Sequence, residues 1–100
     1  MQITPIPKDD AIYQQMAHLL IDGFREHWDA WKTIDEALED IHMVEETGFV
    51  RVALNEDSMR VLGWIGGLPE YDGHVWELHP LVVDEAFHQQ GIGRALVAAF

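Results

Sequence analysis

"WELHPLVVDEAFHQQGIGRALVAAF", residues Trp76 to Phe100, decides how this sequence folds. It begins as an apolar strand and ends as the start of a helix. The strand contains Pro80, which has no N–H to give to a central ladder and so requires a bulge or an unpaired edge. A bulge frees neighbouring backbone groups, and the N–H of Leu81 becomes a candidate donor to something other than protein. Glu77 and His79 lie two residues apart and so project from one face of the strand. A carboxylate and an imidazole beside a freed N–H make an acid–base set with an oxyanion donor; the plainer reading is a solvated strand face. Further on, Gly91 and Gly93 stand where the helix begins. Free N–H groups at a helix start, with glycines that admit phosphate oxygens, suit an anion such as a pyrophosphate. Arg94 adds a positive charge in an acidic chain. The glycine pair is neither a Walker A loop nor the longer dinucleotide fingerprint, and taken alone it reads first as a plain turn.

Upstream, residues 2–6 read as a first strand ended by Pro7. Asp9 or Asp10 can cap a helix over 10–27, where Ile12, Met16, Leu19, Leu20 and Phe24 recur at helical spacing. The aromatic segment around Trp28 and Trp31 reads as a loop. Thr33 and Glu36 form a capping-box signature for a second helix with Ile34, Leu38, Ile41 and Met43 inward, terminated at Gly48. The period then changes to two. Val50, Val52 and Leu54 alternate with Arg51, Ala53 and Asn55, and a polar turn leads to "RVLGWIGG" as the partner strand of a hairpin. "LPEYDG" is a turn, 74–83 the fourth strand, 84–93 a loop, and a helix starts near Gly93. The order is β-α-α-β-β-β-α, an α/β (α+β) domain with a mixed, mostly antiparallel sheet and flanking helices. The single domain fills residues 1–100. With Phe100 about two turns into the last helix, Leu96, Val97 and Phe100 are expected to lack surface to cover. The segment reads as the front part of a larger domain.

One hundred residues, 48% of them hydrophobic, suffice for one small domain with a modest core. No apolar run approaches the roughly 20 residues of a membrane helix, no basic-then-apolar leader opens the chain, and no membrane partner is expected. The absence of cysteine excludes disulfides and thiolate chemistry and fits a reducing, cytoplasmic setting. A net charge of −12 argues against nucleic acid and favours a cationic partner, although acidic surfaces also serve solubility alone. No metal site is expected. His18 and His42 lack an i+4 partner on their helices, and His74 and His79 are five apart on a strand.

The run from Gly63 to Phe100 resembles the central part of the GNAT superfamily of N-acetyltransferases. "GWIGGLPEYDGHVWELHPLVV" is similar, more narrowly, to the aminoglycoside 6′-N-acetyltransferases, with a Gly-rich third strand, a Pro-x-Tyr turn and the specific octapeptide "WELHPLVV". The resemblance covers essentially all 100 residues. It implies acetyl-coenzyme A as cosubstrate and a direct transfer of acetyl to a primary amine, the 6′-amine of an aminoglycoside first, with antibiotic resistance as the associated role. It implies that Glu77 orients the amine and takes its proton through water, that His79 assists, and that the Leu81 N–H polarises the thioester carbonyl. Leu81, Val82 and Val83 would hold the pantetheine arm, and His88, Gln89, Gln90, Gly91, Ile92, Gly93 and Arg94 the pyrophosphate. His88 stands where the superfamily usually has Arg or Gln, a departure expected to weaken the contact rather than abolish it. Carboxylates of the second helix and of the "LPEYDG" turn, with Trp28, Trp31, Glu70, Tyr71, Asp72 and Glu77, are candidates for the wall that meets a polycation; for the tryptophans, core packing is the alternative. Family members are often dimers, so a homodimer is expected. The alternative function is a non-catalytic module that folds or associates without acetyl transfer.

Overall fold

The structure is a computed structural model and describes residues 1–25, 31–70, 75–88 and 90–99. Four strands, β1 (Gln2–Thr4), β2 (Phe49–Asn55), β3 (Arg60–Glu70) and β4 (Val75–Val83), form one sheet in sequence order. All three pairings among the described strands are antiparallel, not mixed as expected, because each strand lies beside its neighbour in sequence. Helices α1 (Asp10–Gly23) and α2 (Ile34–Thr47) intervene between β1 and β2, and α3 (Ile92–Ala98) follows β4.

Each helix begins where its cap residue stands. The Asp9 carboxylate accepts from the Ala11 N–H at 2.9 Å, and the Thr33 hydroxyl accepts from the Glu36 N–H at 3.1 Å. Glu36 returns the favour one residue further out, accepting from the Lys32 N–H at 3.0 Å. Such caps satisfy N–H groups that have no partner inside the helix. α1 ends at Gly23, with the Phe24 N–H bonded to the Ile21 carbonyl, four residues short of the expected end at 27. β1 stops at Thr4 because Pro5 follows without a ladder donor. β3 runs on through Leu68, Pro69 and Glu70, which pair with Glu77, Trp76 and Val75. The expected turn "LPEYDG" is therefore in part strand.

The sheet is covered on both faces. Val50, Val52, Leu54, Val61, Trp64 and Val82 pack beneath α1 and α2 with Ile12, Met16, Leu20, Ile41 and Val44. Trp64 is fully buried, and its indole N–H donates to the Met16 carbonyl at 3.1 Å, which removes the cost of burying an unpaired donor. On the opposite face Ala53, Leu62 and Ile65 meet Ile92 and Leu96 of α3. Ala53 thus belongs to a second core rather than to a polar face. Leu96, expected to lack cover, is fully buried, whereas Val97 is exposed.

Two register shifts shape the sheet. Between β2 and β3, Ala53 pairs with Gly63 and Leu54 with Val61, so Leu62 is an extra residue. The Val61 N–H there bonds to the Gln15 side-chain oxygen at 2.8 Å, and the Gln15 amide donates to the Met59 carbonyl at 3.1 Å. The second shift lies in β4 and builds the site.

Candidate active site

Ile65 pairs with Leu81 and Gly67 with Leu78, so His79 and Pro80 together stand opposite Gly66. This is the bulge that Pro80 demands, and β4 is also the edge of the sheet among the described strands. The His79–Pro80 peptide is cis. Only glycine fits opposite it: a Cβ at Gly66 would lie 2.3 Å from the His79 carbonyl oxygen and 2.8 Å from a methyl of Val44.

The extra residue reverses the strand's alternation. Residues directly opposite in an antiparallel pair share a face. Glu77 opposes Leu68, which packs against the core under α1 and α2, so Glu77 lies on that face. His79 shares it, because its Nε2–H donates to the Asp40 carboxylate of α2 at 3.2 Å. Beyond the bulge, Leu81 and Val83 pack on the other core, beside Ile92 and Leu96 of α3. Glu77 and His79 on one side, and the apolar Leu81 and Val83 on the other, thus occupy opposite faces of one strand, joined by the bulge. His79 retains 33% side-chain exposure and Asp40 16%; Glu77 is exposed.

Below Leu81 a cleft of about 530 Å³ is lined by Val83, Phe87, His88 and the start of α3 from Gly91 to Arg94. Gly91 caps α3 with φ of 80°, in the left-handed region that favours glycine. Gly91 has no side chain with which to cap the first N–H groups of α3, and the cleft's lining includes this helix start from Gly91 to Arg94. Gln90 is exposed. A second cleft of about 710 Å³ lies on the α1 side, lined by Asp22, Arg25, Asp84 and Glu85, and shares Val83 and His88 with the first.

The connection between β4 and α3 is tied down at several points. Expected as loop, residues 85–87 form a single 3₁₀ turn, Glu85–Phe87, capped by Asp84 through the Ala86 N–H at 2.9 Å. The Asp84 N–H donates to the Leu62 carbonyl at 2.8 Å. Arg60 pairs with the Asp84 carboxylate at 3.0 Å and lies 4.8 Å from the centre of the Phe87 ring. Burial pushes the Asp84 carboxyl up, but the Ala86 N–H, Arg60 and His88 together outweigh it and hold the group below its usual range. His88 donates its Nε2–H to the Val83 carbonyl at 3.0 Å. The departure at this position therefore has a structural task, closing the turn back onto the end of β4.

Of the other expected residues, Trp31 is half-buried and packs edge-on to Phe24 at 5.7 Å beside the main core, the packing role held as its alternative. Glu70 ends β3. Trp28, Tyr71, Asp72, His74 and Gln89 lie outside the described residues. Sequence reasoning did not single out Asp40, Arg60 or Asp84. Only the capping pattern of Asp84 before a short turn was a local signal.

The sequence profile of the acetyltransferase (GNAT) family matches residues 13–100. The chain belongs to the GNAT acetyltransferase family. Its α/β architecture is the fold of that family. Among solved structures, an aminoglycoside 6′-N-acetyltransferase complexed with coenzyme A superposes with a TM-score of 0.83 at 26% identity, over 99% of this chain and 52% of that one. The aminoglycoside 6′-N-acetyltransferase from Enterococcus faecium gives 0.78 at 27%, over 99% and 52%. An aminoglycoside 6′-acetyltransferase type Ii gives 0.78 at 27%, over 99% and 61%. This GNAT chain therefore spans between about half and three fifths of the length of these relatives. No curated protein sequence matches it.

Proposed function

We propose that this GNAT chain provides the catalytic strand and cosubstrate loop of an N-acetyltransferase that moves acetyl from acetyl-coenzyme A to a primary amine, the 6′-amine of an aminoglycoside first. The reversal of alternation at the His79–Pro80 bulge carries this reading. It aims Glu77 and His79 at one side of β4 and Leu81 and Val83 at the cleft on the other. The similarity to three aminoglycoside 6′-acetyltransferases, one holding coenzyme A, and a net charge of −12, which draws polycations, support it.

The residues fit the cosubstrate. The cleft beside Leu81 is walled by apolar side chains and ends at the glycine-capped start of α3, with Arg94 as a cation. Leu81, Val82 and Val83 hold the pantetheine arm. His88, Gly91, Ile92, Gly93 and Arg94, with Gln89 and Gln90, hold the pyrophosphate. Acetyl-coenzyme A supplies an activated thioester. The Leu81 N–H polarises its carbonyl, and Glu77 orients the amine and takes its proton through water as the carbon–nitrogen bond forms and thiolate leaves. His79 assists this proton movement. A positioned base contributes about 10²–10⁴-fold and one oxyanion donor about 10²–10³-fold. Glu70, Tyr71, Asp72, Trp28 and Trp31 are the proposed wall for the cationic acceptor, and the working form is a homodimer.

Isothermal titration with acetyl-coenzyme A, then release of free thiol with an aminoglycoside or a polyamine, tests the reading. Micromolar binding and thiol release favouring the aminoglycoside support it. Binding with no release for any amine leaves a coenzyme-binding module, and no binding by a folded chain overturns the proposal.

A further inference from the structure

The pairing of His79 with Asp40 has no part in the scheme above, yet it joins the bulge to a helix 39 residues away in sequence. Asp40 is the more buried partner. Its carboxylate can only accept, so the ring nitrogen facing it carries the proton and the other, Nδ1, is left with its lone pair. With Nε2–H held by α2, rotation of the ring would break a charge-assisted bond, the stronger kind. A carboxylate behind an imidazole also faces the positive charge the ring takes up when it accepts a proton.

We infer that Asp40 is a positioning residue that holds His79 with Nδ1 turned away from α2, ready to relay the proton that Glu77 takes from the attacking amine through water. The inference rests on the acetyl-transfer reading for its consequence, though not for its geometry. In the step concerned, the amine N–H bond breaks as its proton passes through water to the Glu77 carboxylate, and the proton then leaves Glu77 as an Nδ1–H bond forms on His79. The Nε2 proton stays where it is, and Asp40 remains a carboxylate. The ring returns the added proton to solvent or to the departing thiolate.

Two measurements decide the matter separately. In the ¹⁵N-labelled chain the His79 Nε2–H is expected to exchange slowly with solvent. It stays slow in Asp40→Asn, whose side-chain oxygen still accepts, and becomes fast in Asp40→Ala. Equal exchange in the original chain and in Asp40→Ala overturns the inference, whatever the activity. In acetyl transfer, Asp40→Ala is expected to lower turnover about 10- to 100-fold, the share of a general base's effect that depends on its orientation. Acetyl-coenzyme A affinity stays unchanged, and Asp40→Asn falls between. In a His79→Ala background, Asp40→Ala should cost nothing more; an equal cost there would mark a merely structural role and sink the idea. Absence of transfer by the original chain is a failure of the acetyl-transfer reading alone, and the exchange measurement still judges the pairing.

Discussion

The carbonyl oxygen of His79 sits so close to the Cα of Gly66 that a Cβ there would lie 2.3 Å away. The bulge and this glycine are one device. Two residues on β4 oppose one on β3, and the one must have no side chain.

Gly66→Ala is therefore expected to lose about 1–3 kcal/mol, the usual cost of overpacking a filled interior. The obstructing atom is backbone and cannot rotate away. Urea unfolding measures the loss, and acetyl-coenzyme A affinity should fall with it because the bulge sets the direction of Leu81.

Gly91 and Gly93 should respond in opposite directions. A Cβ at Gly91 meets nothing within 4 Å, so Gly91→Ala is penalised by its left-handed backbone alone, about 1–2 kcal/mol. At Gly93 the nearest atom is an ordinary 3.6 Å away, and Ala gains up to about 1 kcal/mol of helix propensity. Weakened coenzyme binding by a stable Gly93→Ala variant would identify a phosphate approach. Unchanged binding would identify a turn and nothing else.

Arg60→Met removes the ion pair to Asp84 and the contact over Phe87. The pair is partly exposed, so its loss is worth about 0.2–1 kcal/mol and shrinks as salt screens it. Asp84 is held below its ordinary value of 3.8, so its share of stability is complete above 3.8 and disappears as pH falls through the depressed value. The acid limb of a stability–pH curve should be shallower in Arg60→Met.

Tyr13 supplies the alkaline counterpart. Burial first, then its 2.7 Å hydrogen bond to Glu45, raise the phenol to about 12. The unfolded chain gives up this proton near 10.0. Stability is therefore full below that value and declines as pH rises to about 12. Tyr13→Phe should cost about 0.5–1.5 kcal/mol at neutral pH and abolish that decline in thermal unfolding measured across the range.

The bulge was legible because proline cannot donate, a constraint that acts within one residue. Caps at Asp9 and Thr33 were legible for a similar reason: a side-chain oxygen satisfies an N–H two or three residues away. What escaped was set by distance. Asp40 is one of 18 acidic residues, and nothing local distinguishes it from its helical neighbours until β4 is laid beneath α2. Alternation at Ala53 suggested an open face because α3, which covers it, is contributed from some 40 residues away. The reach of β3 through Pro69 depends on its partner, since a proline is acceptable in a strand wherever its missing N–H is not called on.

The link from Gln15 to Val61 bears on the order in which the molecule comes apart. The Val61 amide is held by a side chain of α1, so its hydrogen exchange reports helix docking rather than strand opening. If α1 lifts while the hairpin persists, Val61 loses protection before its neighbours on β3. An amide inside a strand then becomes a gauge of how firmly the helical layer adheres to the sheet.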